Sequence, residues 1–134
     1  MNSAFLILGS IFVSLAAIIH LLIFFLESVL WSKPTTWQAV GLKTQEEADI
    51  VKPMAYNQGF YNVFLAIGVG AGLVMIGSTN WVQGGFAITL FACASMVLAA
   101  TVLITSSKLA RPALIQGVPP LLGIVFLVAA LATA

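Results

Sequence analysis

The chain has 134 residues, 61% of them hydrophobic and 7% charged, with a net charge of +1. Soluble domains carry about a quarter charged residues, so this composition excludes a soluble globular protein and a disordered one. Five Lys and Arg leave no basic patch for nucleic acid, and the single cysteine, Cys93, leaves neither an internal disulfide nor a cysteine-based metal site.

The charges divide the chain. No Asp, Glu, Lys or Arg precedes Glu27, none lies between 53 and 107, and none lies beyond 112. A helix needs about 20 apolar residues to cross the hydrocarbon core. The first gap therefore predicts one span at about residues 4–31. The middle gap predicts two, at about 54–77 and 82–106, joined by a polar turn at Gly77, Ser78, Thr79 and Asn80. The last gap predicts a fourth, at about 112–133. These runs do not alternate as barrel strands do. The expected fold is an all-α integral membrane protein, one domain over 1–134, built as a four-transmembrane-helix bundle. The first run lacks a basic leader and exceeds a normal signal sequence, so it reads as a retained span.

Between the first two spans, Thr44, Gln45, Glu46 and Glu47 form a capping box, which starts a helix. A short amphipathic cytoplasmic helix is expected there, with Ala48, Ile50 and Val51 on the membrane interface. Pro53 then belongs to the first turn of the second span, or kinks one continuous helix. Trp31 and Trp37 read as interfacial anchors on this side and Trp81 on the other. Lys33, Lys43 and Lys52 follow the first span, and Lys108 and Arg111 follow the third. By the positive-inside rule both charged loops face the cytoplasm and both termini lie outside. The expected location is the bacterial cytoplasmic (inner) membrane.

Polar side chains inside spans need a reason. His20 and Glu27 lie seven apart on one face of the first helix. Gln58, Tyr61 and Asn62 share a face of the second, beside Asn57, and Gln116 opens the fourth. At ~1.5 Å per residue, Glu27, Asn57, Gln58 and Gln116 fall about 6–8 Å inside the cytoplasmic boundary, and His20, Tyr61 and Asn62 about 12–17 Å inside. Together with Trp31 they predict a cytoplasm-facing polar pocket between helices 1, 2 and 4. The plainer readings are interhelical hydrogen bonding for the amides, an ion pair from Glu27 to Lys33, Lys52, Lys108 or Arg111, and a carbonyl partner for His20. Gly68 and Gly72, with Ala66, Gly70 and Ala71, read as a packing seam. Ser95, Thr101 and Thr105 are expected to bond back to their own helix, and Cys93 to be a buried apolar residue.

No phosphate loop or nucleophile elbow is present. His20 is the single imidazole, so a bis-histidine haem is excluded for one chain; one His and one intramembrane carboxylate argue against a closed metal site, and the cofactor is left open. His20 and Glu27 are the candidates for acid–base or proton-relay chemistry, about 10 Å apart along their helix. That distance suits a ligand between them better than a direct bond.

Three stretches resemble a family of small four-helix bacterial membrane proteins, a domain of unknown function. They are His20-Leu21-Leu22-Ile23-Phe24-Phe25-Leu26-Glu27 with Trp31, Ala55-Tyr56-Asn57-Gln58-Gly59-Phe60-Tyr61-Asn62, and Gln116-Gly117-Val118-Pro119. The resemblance covers nearly the whole chain and implies the bundle, with the polar positions as hallmark residues. Asn57 to Ala66 is also similar, more distantly, to helix 2 of the membrane-associated eicosanoid and glutathione metabolism superfamily, which implies a four-helix trimer. Phe60 stands where that superfamily has an acid, and Pro53 and Met54 where it has an Arg. Asn57 alone carries over, so glutathione transfer is not implied.

The functional expectation is a membrane protein that binds a small or lipid-like amphipathic molecule in the polar pocket. The alternatives are an accessory subunit of a larger complex and an oligomeric transporter or proton conductor. The expected partners are the bilayer, the ligand and further copies of the chain as a dimer or trimer, with no nucleic acid.

Overall fold

The computed structural model describes residues 1–107 and 109–133, so Lys108, one of the basic loop residues, lies outside the described residues. Helix α1 (Ser3–Phe24) runs into a π-helical turn, Phe25–Val29. A short helix α2 (Pro34–Ala39) follows, then α3 (Gln45–Ile76), α4 (Val82–Ser107) and α5 (Ala110–Ala132). Four of these are long and apolar enough to cross a membrane: Ser3–Val29, Gln45–Ile76, Val82–Ser107 and Ala110–Ala132. The protein is a multi-pass integral membrane protein of all-α class.

The helices form a ring in which α1 packs on α3 and α5, and α4 packs on the same two. Small residues set the approach. Gly9 of α1 faces Leu127 of α5, and Val13 faces Gly123, so close that an added Cβ would collide in both places. Phe12 stacks on Phe126 at 5.6 Å along the same pair. The ends of the two helices are joined, since Asn2 N–H donates to Thr133 Oγ1 at 3.0 Å. Between α3 and α4, Gly85 meets the backbone of Gly72 and Ile76. The central core is Val13, Ala16, Val69, Phe86, Ala92, Cys93, Met96 and Leu127.

The expected glycine seam is thus partly redistributed. Gly72 and Ala66 are buried, but a Cβ added at Gly70 would meet nothing within 4 Å and Ala71 is exposed. Gly68 and Gly72 face α4, at Ala92 and at Thr89 and Gly85. Ser95, Thr101 and Thr105 do bond back, to the carbonyls of Phe91, Val97 and Thr101.

The capping box is present: Thr44 Oγ1 accepts from Glu47 N–H, and Glu47 Oε2 accepts from Thr44 N–H. The helix it starts, however, continues through Pro53 to Ile76. The short helix between the first two spans is Pro34–Ala39, where proline at the first helical position starts it. The reason for the continuous course lies in a second, smaller core of Trp31, Trp37, Ala48 and Ala55. Ala48 and Ala55 are seven apart, on one face of α3, and the two indoles cover them. A break at Pro53 would divide that face. Ala48 is therefore buried rather than interfacial, while Ile50 is 72% exposed. Trp31 and Trp37 are core residues, 5% and 4% exposed, and Trp81 is the exposed one. At 32 residues α3 is about 48 Å long, well beyond a ~30 Å hydrocarbon core, so its first turns project past the bundle at the charged end.

Candidate functional site

The seam between α1 and α3 near the charged end holds a cross-helix contact of two polar spans. Glu27 is carried on the π turn, half-buried, and Asn62 is buried on α3. Asn62 Nδ2 donates to Glu27 Oε2 at 3.3 Å and to its own helix at Gln58 O, 2.9 Å. Both amide hydrogens are thereby engaged. The opposite amide orientation would aim Oδ1 at two acceptors, so the network itself decides it. Lys33, Lys52 and Arg111 are exposed, and among the described residues the hydrogen-bond partner of Glu27 is Asn62.

The π turn is what brings Glu27 there. It holds one extra residue per turn and rotates the end of α1 relative to the regular helix. One residue on, Ser28 Oγ donates to Tyr56 O of α3 at 2.9 Å. Gly59 faces Ser28 so closely that a Cβ there would collide with Oγ. Ser28 and Gly59 are positioning residues that the sequence did not reveal. A serine next to an intramembrane carboxylate was the available signal, but nothing in residue order encodes a π turn.

His20 lies two turns deeper on α1 and is buried, with Nδ1–H donating to Ala16 O at 2.8 Å. This is the carbonyl partner of the plainer reading. In the neutral imidazole the lone pair then sits on Nε2. The α1/α5 register places Gln116 at the same level. Val13 pairs with Gly123, and His20 is seven residues after the first while Gln116 is seven before the second. Gln116 is half-buried there, and Pro119 and Pro120 bring no N–H to the carbonyls of Ile115 and Gln116 one turn earlier.

Of the eight expected site residues, the structure joins Glu27 with Asn62, and the helix register sets Gln116 level with His20. The other four do not join them. Asn57, Gln58 and Tyr61 are exposed on the outer face of α3. Trp31 belongs to the smaller core, where Nε1–H donates to Ala48 O at 2.9 Å. The reason is rotational: the α1 contact runs through Gly59 and Asn62, which turns 57, 58 and 61 away. Among the described residues no group of three His, Cys, Asp or Glu could hold a metal ion.

Rings line the same seam. Phe24 stands edge-on to Phe60 at 5.2 Å, and Phe60 continues to Tyr56 at 5.0 Å and Phe64 at 6.4 Å. A groove of about 630 Å³ lies farther along, toward the opposite end, bordered by Leu6, Ser10, Ser14, Leu73 and Ile76. It is distinct from the two polar layers.

Comparison with curated proteins and with solved structures yields no match in either case. Comparison with family models does: residues 14–128 match one across both polar layers and all four long helices, and the chain belongs to the family described as Protein of unknown function (DUF1304).

Proposed function

We propose that this protein binds a small or amphipathic molecule at the charged end of its bundle, at Glu27 and Asn62 with His20 and Gln116 beneath. The observation that supports this most is the Glu27 carboxylate itself. It is half-buried on a π turn and held by an amide from another helix rather than by a cation among the described residues. A carboxylate in a span is expensive, and π turns occur often at functional sites. Interhelical hydrogen bonding alone is served as well by two neutral amides.

In this reading the charged end faces the cytoplasm of a bacterial cell, because the basic residues cluster there, and both termini face outward. Native mass spectrometry of the protein extracted from membranes tests the proposal. The expected result is a bound small molecule in wild type that is lost in Glu27→Gln and Asn62→Leu. A wild-type protein free of any ligand, with variants altered in stability alone, contradicts it.

Self-association is a second element, favoured by Asn57, Gln58 and Tyr61. They are exposed on a membrane helix, where lipid tails offer no hydrogen-bond partner. A dimer or trimer burying this face of α3 satisfies them. Mass photometry of nanodisc-embedded protein showing monomers alone would overturn it.

A further inference from the structure

Resting on the binding site just proposed, we infer that the group received at Glu27 is a protonated primary amine, the head of an amphipathic molecule. The inference comes from which hydrogen-bonding capacity the fold has already used. Asn62 has two N–H hydrogens, and both are engaged, one by Gln58 O and one by Glu27 Oε2. What remains on this pair is acceptor capacity: Asn62 Oδ1, and the carboxylate, which accepts up to about four hydrogen bonds. The layer below adds acceptors of its own, beside the Gln116 side-chain amide, which brings N–H donors as well. The Nδ1–H of His20 is taken by Ala16 O, leaving Nε2 as an acceptor in the neutral ring, and Pro120 brings no N–H to the Gln116 carbonyl.

At Glu27 and Asn62 the amide donors are committed and acceptors remain, and that selects the head group received there. A carboxylate or phosphate head offers no hydrogen to these acceptors and meets the charge of Glu27. A hydroxyl offers one hydrogen and no charge. A divalent metal ion needs several hard ligands, and among the described residues no three-residue acidic or imidazole cluster exists. A primary ammonium supplies three N–H donors and the opposite charge, and charge-assisted hydrogen bonds are about twice as strong as neutral ones. The location fits an amphipath. Glu27 lies near the charged end of the first span and is half-buried, so a head can reach it. The rings of Phe24, Phe60 and Phe64 run along the same seam and offer apolar surface to a chain.

An ammonium head has two sources, an aminophospholipid of the bilayer or a free long-chain amine, and the test separates them. The full-length protein, purified in maltoside detergent, is titrated with dodecylamine, dodecyltrimethylammonium and dodecanol, with binding followed by intrinsic tryptophan fluorescence and thermal shift. The expected result is dodecylamine binding at least tenfold tighter than either analogue, with Glu27→Gln removing that preference. In nanodiscs, retention of phosphatidylethanolamine over phosphatidylcholine by native mass spectrometry assigns the lipid source, and no such retention alongside dodecylamine binding assigns the free amine. The comparison of the three probes on wild type holds even if Glu27→Gln fails to fold. Equal binding of amine and alcohol, both lost in Asn62→Leu, overturns the ammonium assignment and leaves the binding site standing. Binding of none of the three, in a protein that also carries no ligand from the membrane, overturns both.

Discussion

Ser28 Oγ donates to the Tyr56 carbonyl oxygen at 2.9 Å, and Gly59, three residues farther along α3, lies against the same serine. A hydroxyl from the π turn is bonded to backbone, which can happen because position 59 has no side chain. The Glu27–Asn62 contact follows from that approach, one residue before Ser28 and one turn after Gly59.

Gly59→Ala is therefore expected to destabilise the protein. Its Cβ would collide with Ser28 Oγ and lie 3.2 Å from Ser28 Cβ and 3.3 Å from Ser28 N. Overpacking of this kind costs about 1–3 kcal/mol. Adding Ser28→Ala removes the Oγ collision but not the other two contacts, so the double variant recovers part of the loss. Thermal unfolding in detergent measures both. A Gly59→Ala variant at wild-type stability would mean that the π turn does not depend on this close approach.

Gly85 and Gly70 make an opposed pair. A Cβ at Gly85 would stand 2.5 Å from Ile76 N and 2.6 Å from Gly72 O, both backbone atoms that cannot rotate aside. At Gly70 it would meet nothing within 4 Å. Gly85→Ala is expected to separate α3 from α4 at a loss of about 1–3 kcal/mol or more. Gly70→Ala is expected to be neutral or to gain up to about 1 kcal/mol from helix propensity. The same unfolding measurement ranks them, and the reverse order contradicts the packing.

The two tryptophans of the smaller core are expected to respond differently to the same change. Trp31 Nε1 donates to Ala48 O, while Trp37 Nε1 is buried with no partner among the described residues. Trp31→Phe loses a hydrogen bond, about 0.5–1.5 kcal/mol. Trp37→Phe removes a donor whose burial was uncompensated, which offsets the smaller ring, so stability changes by less than at Trp31. Equal losses at the two positions would contradict the assigned bonding.

Orientation is checked by labelling in intact cells. Cys93 is buried and does not report. In a Thr133→Cys variant an impermeant maleimide is expected to react from outside, and in a Glu46→Cys variant it reacts after lysis alone. The opposite pattern inverts the topology and moves the Glu27 site to the outer face.

Residue order alone determined the four spans, their order and the helix start at Thr44. Burial of apolar residues in lipid is a local, nearly additive free energy that a run of about 20 side chains declares by itself, and a capping box is a contact within four residues. Of the polar residues, residue order named the positions but not their directions. Lipid is as apolar as the protein interior, so both sides of a spanning helix read alike and helix rotation is left to close packing of small residues. Gly9 against Leu127, Gly123 against Val13 and Gly59 against Ser28 decide that rotation. They turn Asn62 and His20 inward and Asn57, Gln58 and Tyr61 outward, and they draw Ala48 under Trp31 and Trp37. The 7% of charged residues already marked this as a membrane protein with one carboxylate inside a span. Only the tertiary structure supplied the π turn that aims this carboxylate at Asn62, because the contacts that accompany it, Ser28 on the Tyr56 carbonyl and on Gly59, come from a distant helix.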